Sequence, residues 1–313
     1  MAQDARERAR TFVDAVAFVP SATDRPFARW EDRICVGAVG LAAAEAQALV
    51  DRISARAQSV GLRPGEPGCQ ANVMVIYAPD SDAISHEIVD RRRDLLGQGG
   101  YSAGSDALQA FANTPRAIRW WHVSDDGAGG LLDRPGVERS RQSQGRETAQ
   151  AQSVGTPGAG VEGAGELSGV EAVRVSGSRA RYVARNNLSY ALVVVDARRV
   201  ANVPAGAWMD YVALVSLAQI DPTAHPEGYD TILNVFDAPQ PTQTGLTAWD
   251  NAFLRALYRA RDATASRQTG DIARRLAQPS RPLGTMAAAA VLNRMRRGRS
   301  SHGSITRFSR SGA

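Results

Sequence analysis

The chain has 313 residues, 37 basic and 32 acidic, is 43% hydrophobic and contains 29 Gly and only 2 Cys. These values exclude collagen-like, disulfide-dense and wholly disordered classes. The length allows one large domain or two modest ones around a buried core, and no apolar run of about 18 residues is present to span a membrane.

Every basic residue is Arg, and Lys is absent, so Schiff-base and general-base chemistry on Lys is excluded. The net charge of +5 is uneven, because residues 281–313 hold seven Arg and no acid. A basic stretch of that kind points to an anionic partner. The opening residues Met1-Ala2-Gln3-Asp4-Ala5-Arg6 lack the charged and apolar regions of a signal peptide. Such a start fits a cytoplasmic protein, or an exported one after its leader is removed.

Residues 4–18 are predicted helical, with Phe12, Val13, Val16 and Phe18 as apolar positions and Pro20 as the stop. Residues 34–39 read as a strand, followed by an Ala-rich helix with Ala46, Leu49, Val50, Ile53 and Ala57 at helical spacing. Residues 72–78 form a second strand. Asp80 or Ser81 caps a helix expected to run to Leu96, ended by Gly97, Gly99 and Gly100. Residues 119–123, with Trp120, Trp121 and His122, form a third strand.

The composition then changes: 11 of the 43 residues in 127–169 are Gly and apolar periodicity is lost, the signature of a disordered insert. Strands are expected again at 170–176 and at 189–196, the latter apolar enough to be buried on both faces. A helix after Pro204, carrying Trp208, Tyr211, Val212, Leu214, Val215 and Leu217, is apolar nearly all round. Thr247 caps a further helix to Arg261, with Asp250 in its first turn.

The fold class is therefore α/β, a mixed sheet with packed helices, ordered over 4–124 and 170–277 as one discontinuous domain. Its parts are an N-terminal half (1–126), the insert (127–169), a C-terminal half (170–280) and a disordered basic tail (281–313).

Cys35 lies early in the first strand and Cys69 just before the second. If those strands are parallel neighbours around one crossover helix, both sulfurs sit at the same end of the sheet, where strands are about 4.8 Å apart. A disulfide is then feasible; the alternative is a pair of buried thiols, and the redox compartment decides between them.

No His-Glu-x-x-His zinc motif occurs. The nearest pattern is His86-Glu87-Ile88-Val89-Asp90, which places His86 and Asp90 on one helix face beside Glu87. With His122 these residues form a weak metal or hydrolase candidate, set against the plainer reading of a wet helix face. His122 alone is a candidate base or simply a packed strand residue. His225 falls in a turn-rich loop and His302 in the tail, neither with a partner in sequence. Gly37-Ala38-Val39-Gly40 stands where a phosphate loop could form, but lacks the rest of either phosphate-binding fingerprint and reads as a turn that needs Gly. In the tail, Arg294, Arg296, Arg297 and Arg299 can contact nucleic acid or an anionic membrane by charge, or merely solubilise a loose end. No residue pattern calls for a cofactor.

The segment Gly245-Leu246-Thr247-Ala248-Trp249-Asp250, continuing to Leu254-Arg255-Ala256-Leu257-Tyr258, resembles the closing part of an uncharacterised family of secreted bacterial zincin-like proteins. There a Leu-Thr-x-x-Asp cap leads into a Leu-x-x-Leu-Tyr helix. Tyr229-Asp230-Thr231-Ile232-Leu233-Asn234-Val235-Phe236 is similar to that family's Ser-Ile/Leu-Phe-Asn stretch. The likeness covers about residues 189–277. It implies a zincin-like second half in which Tyr211 and Val212 stand where the family has its zinc-binding His and Glu. Neither side chain can bind zinc or activate water in that role.

The lack of an assembled catalytic constellation, beside this resemblance, points to a non-catalytic binding or structural protein of the cell envelope, periplasmic or secreted, with a protein partner there. The alternatives are a hydrolase around His86, Glu87 and His122, or a protein that docks through its Arg-rich tail.

Overall fold

The computed structural model describes residues 2–17, 26–96, 105–125, 186–237 and 241–278. The insert, the strand expected at 170–176, and the tail with His302 and its four candidate Arg residues lie outside the described residues. Among the described residues no helix is long and apolar enough to cross a membrane.

The architecture is α/β. In chain order the helices are α1 (Ala2–Val16), α2 (Ala43–Ser59), α3 (Ser81–Arg91), α4 (Ser105–Asn113), the single turn α5 (Ala197–Val200), α6 (Ala205–Leu217), α7 (Ala248–Arg259) and α8 (Ala265–Leu276). The strands are β1 (Arg33–Ile34), β2 (Val36–Val39), β3 (Arg63–Pro64), β4 (Val73–Ala78), β5 (Ile118–Asp125) and β6 (Asn187–Asp196). The main sheet has the order β2-β4-β6-β5. Its first three strands run parallel, with Val36 opposite Val73 and Val73 opposite Ala191, while β5 runs antiparallel to β6 with Trp121 opposite Leu192.

Alternation of side chains along the strands supplies two cores. Val73, Val75, Ala191, Val193, Val195, Ile118 and Trp120 face one way, against α1, α2, α6, α7 and α8. Leu192, Val194, Trp121 and Val123 face the other, against Ile88 and Val89 of α3 and Phe111 of α4. Strand β6 is thus covered on both faces, as its unbroken apolar run requires. On the first face Phe12 of α1 packs edge-on against Trp249 and Phe253.

Three local features depart from the sequence reading. The first expected strand is broken at Cys35 into β1 and β2. The helix expected to reach Leu96 stops at Arg91, where Arg93 Nε caps the Val89 carbonyl at 2.7 Å, and Arg93–Leu96 continues as a 3-10 turn. Helix α6 is buried from Ala207 to Leu217, yet one of those residues is Asp210, fully buried. Arg56 Nη2 and Arg52 Nε meet its carboxylate at 2.7 and 2.9 Å, and the Leu246 amide donates to it at 2.8 Å. A Cβ on Gly245 would lie 2.4 Å from Asp210 Oδ2, so glycine is needed for this approach.

Cys35 and Cys69 are bonded, with Cα atoms 6.0 Å apart, within the usual disulfide range. The bond closes at the end of parallel neighbours β2 and β4, which are joined through α2. The Gly40 turn needs its glycine for two reasons: φ is +87°, and a Cβ would sit 1.9 Å from the Tyr77 carbonyl oxygen.

Candidate functional site

Strand β5 carries consecutive side chains to opposite faces, so Trp120 joins the α6 side and Trp121 the α3 and α4 side. Around this strand a narrow cleft, partly open to solvent, lies between α4 and the 219–223 segment. Its walls include Phe111, Trp120, Trp121 and Ile220.

Each wall is fixed locally. The Trp120 indole donates to the Ile220 carbonyl at 2.9 Å, tying the 219–223 segment to the sheet. Phe111 packs edge-on to Trp121, with ring centroids 6.2 Å apart. Arg119, buried at the strand start, donates to Thr114 O, Ser81 Oγ and Asp82 Oδ1. Arg199 and Arg119 together hold the Asp82 carboxyl well below the usual carboxylate range. Arg119 is therefore a structural tie.

His122 also lines the cleft. Its Nε2 lies 2.7 Å from the Val215 carbonyl of α6; a carbonyl only accepts, so Nε2 carries the proton and Nδ1 is the acceptor. Burial pushes the imidazole down to about 4 against the pull of that carbonyl, and His122 is neutral at pH 7.

Other polar groups at the cleft have unused capacity. Trp121 is 6% exposed, and its buried Nε1–H has no hydrogen-bond partner. Gln219 uses its Oε1 to accept from the Ala28 amide at 3.1 Å, leaving its NH2 without a partner among the described residues. The Arg116 guanidinium makes no ion pair among the described residues. Among the described residues no Asp or Glu lines the cleft. A second groove, at the carboxyl ends of β2 and β4, is lined by Tyr77, Trp208 and Glu45. That end of a parallel sheet commonly binds ligands, but this groove shows no buried polar group lacking a partner.

The sequence-derived candidates are not gathered at one place. His86, Glu87 and Asp90 lie on the exposed face of α3, whereas His122 bonds to α6 on the other side of the sheet. Among the described residues no three His, Cys, Asp or Glu side chains are grouped closely enough to hold a metal ion. His225 lies in the loop after α6 and is exposed. Tyr211 and Val212 are buried in α6, with Tyr211 packed edge-on against Trp120 and Phe236. Burial raises the Tyr211 hydroxyl pKa well above the ordinary phenol range.

The fold and cleft define a disulfide-braced α/β protein with an apolar, donor-rich recess beside its antiparallel strand. Comparison with protein-family models, curated proteins and solved structures finds no match.

Proposed function

We propose that this chain is a non-catalytic binding protein of an oxidising compartment of the cell envelope, and that it takes a small, largely apolar ligand in the β5 cleft. The observation that carries this reading is Trp121, a residue that lines the cleft and whose buried indole N–H has no partner among the described residues. A buried donor left unpaired costs about 1–3 kcal/mol, a cost that a ligand acceptor would remove. The Cys35–Cys69 bond supports the compartment, since disulfides persist where thiols are oxidised.

The likeness of residues 189–277 to zincin-like proteins adds that the scaffold is a degenerate one, with Tyr211 and Val212 in the former metal positions. Zinc near zero per purified chain is expected on that view, and one zinc per chain would overturn it.

Binding in the cleft is tested by melting the protein with small apolar solutes, because a ligand selective for the folded state raises the melting temperature. Ala110, exposed on α4, lines the cleft. Ala110→Trp should fill the space and abolish the rise while leaving the unliganded melting temperature nearly unchanged. A rise that persists in this variant would place the ligand elsewhere.

A further inference from the structure

From the chemistry of the cleft we infer its ligand class: a compact apolar carboxylate, with its hydrocarbon body between α4 and the 219–223 segment and its anionic end toward Arg116. This inference rests on the proposed role of the cleft as a binding site. The residues lining the cleft whose hydrogen-bonding capacity is unused among the described residues mostly offer donors: Trp121 its indole N–H, Gln219 its amide nitrogen and Arg116 its guanidinium. They ask for an acceptor, and Arg116 with no opposing Asp or Glu among the described lining residues asks for an acceptor with negative charge. Arg119 differs from Arg116 in that its charge is already paired with the Asp82 carboxylate, while it also donates to Thr114 O and Ser81 Oγ. The Phe111, Trp120 and Trp121 rings supply the surface that a planar or short aliphatic body covers. A free anion would leave that surface wet, and a neutral hydrocarbon would leave the donors unpaired.

The test is calorimetric titration of the full chain with phenylacetate, its neutral analogue phenylacetamide, and acetate. Phenylacetate should bind saturably and about tenfold or more tighter than phenylacetamide, because charge-assisted hydrogen bonds are about twice as strong as neutral ones, and acetate should bind far more weakly than either. Arg116→Gln, at a half-buried position, should remove the preference for phenylacetate without weakening phenylacetamide. Equal binding of phenylacetate and phenylacetamide to the native chain would overturn the carboxylate class while leaving the cleft as a binding site. Acetate binding as tightly as phenylacetate would overturn the apolar body. If neither aromatic compound binds, the ligand class and the proposed cleft both fall.

Discussion

At His122, burial and hydrogen bonding pull in opposite directions, and burial wins, so the folded chain takes up this proton only near pH 4 while an unfolded chain does so near 6.5. Between those values the unfolded state binds more protons, so stability falls as the pH is lowered and levels off below about 4. The loss should be on the order of 2–3 kcal/mol. His122→Gln keeps a polar group beside Val215 but cannot titrate, so its melting temperature should lack the His122 contribution across this window. Parallel melting curves for the two proteins from pH 6.5 to 4 would show that His122 is not held neutral by the fold.

Asp210 shows the limit of reading single residues from sequence. Burial opposes its ionisation, but hydrogen bonds from Arg56 and Arg52 hold its carboxyl below the usual range. In the sequence it is one acid inside an apolar helix; its partners lie on α2, more than 150 positions earlier. Only the packing of α2 on α6 brings them together.

Among the elements, the disulfide is the clearest case of geometry anticipated by the sequence. A disulfide needs the two apolar runs flanking one helix to be parallel neighbours, and β2 and β4 do pair in that way over four positions. Bonding itself was left open, because spacing alone cannot distinguish a disulfide from two thiols. The bond closes a segment with a sequence separation of 34, which in the chain-entropy model stabilises the fold by roughly 4 kcal/mol. Reduction, or Cys35→Ser with Cys69→Ser, should lower the urea midpoint accordingly while far-ultraviolet circular dichroism retains the sheet. An unchanged midpoint would mean that the bond adds no stability.

Helices α4 and α8 left weaker traces in the sequence. Helix α4 offers only Leu108 and Phe111 as large apolar residues, and α8 only Ile272 and Leu276, too few to stand out as a periodic face. By contrast, α7 is legible from its cap residue Thr247, and the structure adds that Thr247 and Asp250 exchange hydrogen bonds with each other's backbone amides.

At the scale of the molecule, the dense apolar run at 189–196 points to a strand covered on both faces, and β6 contributes to both cores. The cleft was not legible, because its walls come from α4, β5 and residues 219–223, and the gap between them exists only after folding. The sequence signal was the Trp120-Trp121-His122 triplet, which placed two large rings on opposite faces of one strand beside a histidine. The same reading joined His122 to His86 and Glu87, a grouping that the intervening sheet prevents.

The account turns on whether the Trp121 indole meets a ligand. The most direct measurement is the indole N–H spectrum of 15N-labelled protein during a phenylacetate titration. The chain has 5 Trp, and the Trp121 signal is assigned by its loss in Trp121→Phe. The account predicts that this signal shifts progressively and saturates as the N–H gains an acceptor. A Trp121 signal that stays fixed while that of Trp208, in the other groove, moves would contradict it.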